Sequence, residues 1–351
     1  MIPDSVRNGR TASWLLFSIA ARTVKAHPTM MTPILLLRIV AAAWFFAALC
    51  RPAVADDNEL ISELNEEVVQ IPVTVGSATG QHAVSLTATT FHPKGNGPFP
   101  LIVLSHGNPP NAADRPAIGR FRRIPQVKEF LNRGFAVLVP IRRGYGATGG
   151  NYAESYARCD YASFTQAGAE AARDLIASID FAKKLPFVNP AAVILVGQSA
   201  GGFASLAAAS LKPAGLIAVV NFSGGRGGDP QKHLGVPCGA RGMAETIGKF
   251  GETIDVPVLW HYVENDLFFG PEYAKLWFAA FEKSGGKGVL VIQPAFGKNG
   301  HSLFTTDSGI AIWTVQFDKF LKENRLVPHQ TSLNANRMTA SERKDDVLAV
   351  Q

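Results

Sequence analysis

Ser199 stands between glycines at two-residue spacing, in Gly197-Gln198-Ser199-Ala200-Gly201-Gly202. A serine hydroxyl is a poor nucleophile until a base takes its proton, and the base needs a third group to orient it. The surroundings of Ser199 suit such a role. Residues 191–196 are a run of small and β-branched apolar side chains, which predicts a buried strand. The Ala-rich segment after Ala200 has good helix propensity. Ser199 therefore falls at the apex of a sharp strand-to-helix turn, the G-x-S-x-G nucleophile elbow. Gly197 and Gly201 must be small because the turn folds them against each other. The helix that begins after Ser199 aims its free N–H groups at any oxyanion formed there. A glycine-rich turn with no nucleophile would carry the same residues, so the rest of the chain has to supply a base and an acid.

Seven histidines follow residue 55. His82 and His92 lie on or beside early strands, His233 in a polar excursion and His329 in the tail. His261 sits inside a strand and reads as a core residue, and His106 belongs to a loop after a strand. His301, in Lys298-Asn299-Gly300-His301, follows the last strand by a loop and precedes the closing helix. It is the expected base, because this architecture orders its residues Ser, Asp, His along the chain. The expected acid is Asp266, just beyond the preceding strand, with Glu264 as rival; Asp266 could instead be a turn or N-cap aspartate. An oxyanion hole needs two backbone donors. Ala200 supplies one, and the loop His106-Gly107-Asn108 supplies the other, through Asn108 or, as second choice, Gly107. Pro109 and Pro110 have no N–H to give. The loop 142–150, RRGYGATGG, has two readings. Arg142 or Arg143 clamps a substrate carboxylate, or the arginines brace a tight strand exit; the second is preferred.

These residues need a frame. Strands are predicted over 69–75 and 84–92, as an antiparallel edge, then over 100–105, 135–141, 191–196, 215–222, 256–263 and 288–293. Helices are predicted over 126–133, 160–185, 240–250, 271–284 and 309–321, besides the one after Ser199. The alternation from 100 to 321 predicts one α/β domain, a mostly parallel sheet covered on both faces. Ligands in such sheets bind beyond the carboxyl ends of the strands, where Ser199, the His106 loop and the loops after 263 and 293 converge. Residues 223–250 are short for a lid, so an accessible site is expected.

The chain has 351 residues, 47% hydrophobic and 18% charged, which is globular composition. Residues 39–49 are an apolar run ahead of Ala53-Val54-Ala55, the pattern of a signal peptide cleaved before Asp56. A spanning helix needs about 20 residues, so a cleaved, periplasmic or secreted protein is expected rather than an anchored one. Met30 or Met31 is the expected start. The formal charge of +6 is mostly N-terminal: six cations against Asp4 leave +1 for the remainder. A nearly neutral body gives no ground for a nucleic-acid or anionic-membrane partner. Cys159 and Cys238 then remain, an even number in an oxidising compartment, and are expected to form a disulfide. No cysteine or histidine spacing suggests a metal, and the chemistry needs no cofactor. The domains expected are 1–55 as extension and signal peptide, 56–324 as the α/β domain, and 325–351 as a polar tail.

The chain resembles the α/β-hydrolase superfamily, and within it exported dienelactone-hydrolase-like members. The likeness covers about 69–321 and rests on Ser105-His106-Gly107, Arg143-Gly144-Tyr145-Gly146, the Ser199 elbow, Asn265-Asp266 and Gly300-His301. It implies an eight-stranded, mostly parallel sheet with a minimal cap and a Ser199/Asp266/His301 triad. Dienelactone hydrolases proper carry cysteine at the nucleophile position. Serine here implies ordinary ester or related acyl hydrolysis of a small-molecule substrate. A serine peptidase of the same fold, and a non-catalytic binding protein that keeps it, are the alternatives.

Overall fold

A computed structural model describes residues 59–77 and 80–327. The N-terminal extension with its signal-peptide pattern, and His329 with most of the tail, lie outside the described residues. Among the described residues no helix is long and apolar enough to cross a membrane.

The described residues form one eight-stranded sheet in the order β1-β2-β4-β3-β5-β6-β7-β8. The strands are β1 (Glu67–Ser77), β2 (Gly80–Phe91), β3 (Phe99–Ser105), β4 (Ala136–Pro140), β5 (Val188–Gln198), β6 (Leu216–Phe222), β7 (Val258–Val263) and β8 (Gly288–Gln293). β2 runs antiparallel to β1 and to β4, and every pairing from β4 to β8 is parallel. The α/β architecture with a mostly parallel sheet is thus as the sequence implied. β3 and β5 are buried apolar strands at the centre, as a sheet covered on both faces requires.

Among the described residues six α-helices flank the sheet: α1 (Ile124–Asn132), α2 (Phe164–Ala182), α3 (Ala200–Ala209), α4 (Ala240–Gly251), α5 (Pro271–Lys283) and α6 (Ile310–Glu323). Two apolar clusters lie on opposite faces. One gathers Leu101, Val103, Leu195, Phe203, Trp260 and Trp277 under α2 to α5. The other gathers Ile102, Ile194, Val220, Phe130, Trp313 and Phe317 under α1 and α6. The alternation along β3, Leu101 and Val103 to one face and Ile102 and Leu104 to the other, is the strand period expressed in three dimensions.

α2 begins at Phe164, four residues later than the periodicity predicts. Cys159–Tyr161 instead form a short 3₁₀ turn, and Cys159 is bonded to Cys238 across 79 residues of chain. The bridge ties the loop before α2 to the loop before α4, both of which carry polar groups of the site. Closing a loop of that length restricts the unfolded chain by roughly 4 kcal/mol. Replacing both cysteines by serine is expected to lower the urea midpoint by a corresponding amount. An unchanged midpoint would show that the bridge adds no stability.

Candidate active site

The end of β5 is built by glycines. Ser199 has φ 57 and ψ −124, a backbone state that side chains avoid and that costs on the order of 1–3 kcal/mol. A Cβ on Gly197 would lie 2.2 Å from Gly201 O, and one on Gly201 2.1 Å from Ser105 O. The turn exists only because both are glycine. Ser199 N–H donates to Phe222 O at 2.9 Å, and Gly225 N–H to Ser199 O at 3.2 Å, which fixes the apex between β5 and β6. The residue is 6% exposed, and its hydroxyl makes no hydrogen bond among the described residues. It faces a cavity whose wall also includes His301.

His301 Nδ1 lies 3.0 Å from Asp266 Oδ1 and 2.9 Å from Oδ2. A carboxylate only accepts, so Nδ1 carries the hydrogen, and in the neutral imidazole the lone pair is then on Nε2. Asp266 is itself held, because its Oδ1 accepts from Phe268 N–H at 2.8 Å and Phe269 N–H at 3.0 Å. Phe268 stacks on the imidazole at 4.1 Å between ring centres, and Phe269 meets it edge-on at 5.4 Å. Asn299 joins the two loops, its Oδ1 accepting from Leu267 N–H and His301 N–H, both at 3.1 Å. No local pattern of residues points to Asn299 or Phe268. Glu264, the rival acid, is exposed. His82 and His233 are also exposed, and His261 is buried in β7 against Phe222 and Gln293.

Ala200 and Asn108 both line a small chamber beside Ser199, and Gly107 and Asn108 line the larger cavity. The Gly107 loop approaches the elbow closely: a Cβ there would lie 2.6 Å from Gln198 Oε1 and 3.1 Å from Ser199 Cβ. His106 anchors this loop. Its Nδ1–H donates to Gly107 O at 2.8 Å and its Nε2 accepts from Arg142 N–H at 3.1 Å, which defines a neutral tautomer. Arg142 does not clamp a substrate. It is fully buried, donates to Ser105 Oγ and His106 O, and pairs with Glu154. Arg143 pairs with Asp174 and Glu170 on α2. Both arginines brace the strand exit.

These buried groups make the fold sensitive to acid. Burial, with the Arg142 charge, lowers His106 from 6.5 to about 3, and burial lowers His261 to about 4. The unfolded chain takes up these protons first as pH falls, so stability is lost below about pH 6.5. Burial raises the Glu154 carboxyl, but Arg142 and Arg226 outweigh it and hold it at about 2, which adds a loss below pH 4.5. Asp174, raised to about 6 by burial against the pull of Arg143, works in the opposite direction between pH 6 and 3.8. At 1.36 kcal/mol per unit the net loss from pH 7 to pH 5 is about 3 kcal/mol. The urea midpoint is expected to fall over that range; a midpoint that rises would contradict the assignment of neutral buried imidazoles.

Two hollows meet at Ser199. The larger, about 830 Å³, runs from Ser199 and His301 to Phe121, Arg123 and Ile124. The smaller, about 90 Å³, lies between Ser199, Ala200 and Arg226. Among the described residues no group of three His, Cys, Asp or Glu side chains could hold a metal ion.

An α/β sheet with a serine at the β5–α3 elbow, and a His–Asp pair on the loops after β8 and β7, defines a class of protein, the α/β hydrolases. Residues 102–328 match the alpha/beta hydrolase family, and the chain belongs to it. No curated protein matches the chain. Among solved structures it is similar to the esterase Pf2001 of Pyrococcus furiosus, at 15% identity and TM-score 0.52, over 76% of this chain and 94% of that one. It is also similar to the acylaminoacyl peptidase of Pyrococcus horikoshii, at 15% identity and TM-score 0.52, over 75% of this chain but 42% of that one. At such identity the likeness concerns the fold.

Proposed function

We propose that the protein hydrolyses carboxylic esters through an acyl-enzyme on Ser199. The observation that carries this reading is His301, in the wall of the cavity that Ser199 also lines, with Asp266 2.9 Å behind its imidazole. Ser199 Oγ attacks the carbonyl carbon while its proton passes to His301 Nε2. The C–O bond to the alcohol then breaks, and the same proton goes to the leaving oxygen. Water repeats the sequence on the acyl-enzyme, His301 taking its proton and Ser199 leaving with it, so that acid is released. Asp266 keeps His301 in the tautomer this needs. The N–H groups of Ala200 and Asn108 hold the oxyanion, each supplying about 2.7–4 kcal/mol in the transition state.

The likeness to an esterase fold and the serine nucleophile favour esters over lactone opening by a cysteine enzyme. The domain bounds 56–324 and export after cleavage near Ala55 belong to the same proposal, and the Cys159–Cys238 bridge supports an oxidising compartment. Treatment with a fluorophosphonate probe followed by peptide mapping tests the mechanism. Modification at Ser199 is expected, and a protein that hydrolyses p-nitrophenyl acetate while Ser199 stays unmodified would overturn it.

A further inference from the structure

The small chamber beside Ser199 is lined by Arg226, a buried guanidinium whose hydrogen-bonding capacity the fold does not fully satisfy. Arg226 is 4% exposed. Its Nη2 pairs with Glu154, and its Nη1 donates to Tyr152 Oη at 3.2 Å. Its Nε has no partner among the described residues. An unmet buried donor on a charged group is costly, on the order of 1–3 kcal/mol, and calls for an explanation. Arg226 lines the chamber of about 90 Å³ together with Ser199, Ala200 and Tyr156. The ion cluster behind it, Arg142 and Arg226 around Glu154, has two cations and one anion. Its surplus positive charge sits at low dielectric, where a partner anion is held far more strongly than in water.

The two hollows have different parts to play. His301 lines the large cavity and not the chamber. The group that His301 protonates is the leaving alcohol, so the alcohol occupies the large cavity. The acyl group, on the other side of the scissile carbonyl, is left with the chamber. We infer that the chamber takes a short acyl group ending in a carboxylate, received by Arg226, so that the preferred substrates are half-esters of short dicarboxylic acids. This rests on the acyl-enzyme reading above and specifies its substrate class.

The test compares monomethyl malonate with methyl isovalerate, which has the same shape but a neutral end, followed by base uptake at neutral pH. A charge-assisted hydrogen bond supports a kcat/KM preference of about tenfold or more for the half-ester. Arg226→Lys keeps a cation but loses the Nε donor and the planar fork, and the ratio between the two substrates is expected to fall by at least about fivefold. Should that variant fail to fold, wild-type inhibition decides: malonate is expected to compete with p-nitrophenyl acetate, whereas adipate, too long for the chamber, and isovaleramide, which carries no carboxylate, are not. A wild-type ratio near one, an unchanged ratio in Arg226→Lys, or inhibition by adipate equal to that by malonate would overturn the inference while the esterase reading stands. Failure to hydrolyse any ester, p-nitrophenyl acetate included, would take both down.

Discussion

Ser199→Ala is expected to lower kcat for p-nitrophenyl acetate by about 10⁴–10⁶-fold, the loss found when the nucleophile is taken from a working triad. The substitution removes one oxygen and leaves Cβ, so the strained elbow keeps its shape. Stability should scarcely change, because the hydroxyl makes no hydrogen bond that folding would miss. Binding should also persist, since the Ala200 and Asn108 N–H groups and both hollows remain. The loss should therefore appear in kcat, with KM little altered, which is the signature of an interaction made only in the transition state. A residual rate within about tenfold of wild type, with the melting temperature unchanged, would remove Ser199 from the chemistry; the threshold lies far below the loss expected of a nucleophile.

The frame of this protein could be read from its residues because β-strand burial and the helix period leave strong local marks. The runs at 100–105, 191–196 and 256–263 lie within or across β3, β5 and β7. The elbow was legible for a steric reason: only glycine at 197 and 201 lets the backbones approach as they do. Asp266 and His301 could be proposed from chain order alone, and the fold brings their side chains into contact. Other features leave no local trace. Asn299 bridges two loops that are distant along the chain. Arg226 acquires its character only when Glu154, 72 residues away, is folded against it. The arginines at 142 and 143 were ambiguous in sequence because a clamp and a brace use the same side chain. Their carboxylate partners on the 151–163 loop and on α2 decide for the brace. The late start of α2 belongs with these, since the residues ahead of Phe164 are held by a bond to a cysteine 79 positions on.

Asp266→Asn should reduce kcat by about 10⁴-fold without unfolding the protein, and the reason lies in two backbone donors. Oδ1 of Asp266 accepts from the N–H groups of Phe268 and Phe269. In the asparagine variant that position must be taken by the amide oxygen, because a nitrogen there would meet two hydrogens. The amide nitrogen is then placed where Oδ2 stood, 2.9 Å from His301 Nδ1. An NH₂ group donates, so at the shorter contact the imidazole is drawn to present a lone pair and carry its hydrogen on Nε2, against the weaker pull of the amide oxygen 3.0 Å from Nδ1. The Ser199 hydroxyl then faces a donor and keeps its proton. The loop survives because both backbone hydrogen bonds survive, so the melting temperature should stay near that of wild type. Asp266→Ala loses the tautomer control and the loop anchors together, and both rate and melting temperature should drop. Glu264→Gln, on an exposed residue of the same loop, should alter neither by more than about twofold in rate or 0.5 kcal/mol in stability. If Asp266→Asn turns over ester at nearly the wild-type rate while folded, the contact between Asp266 and His301 is structural, and another group must orient the base.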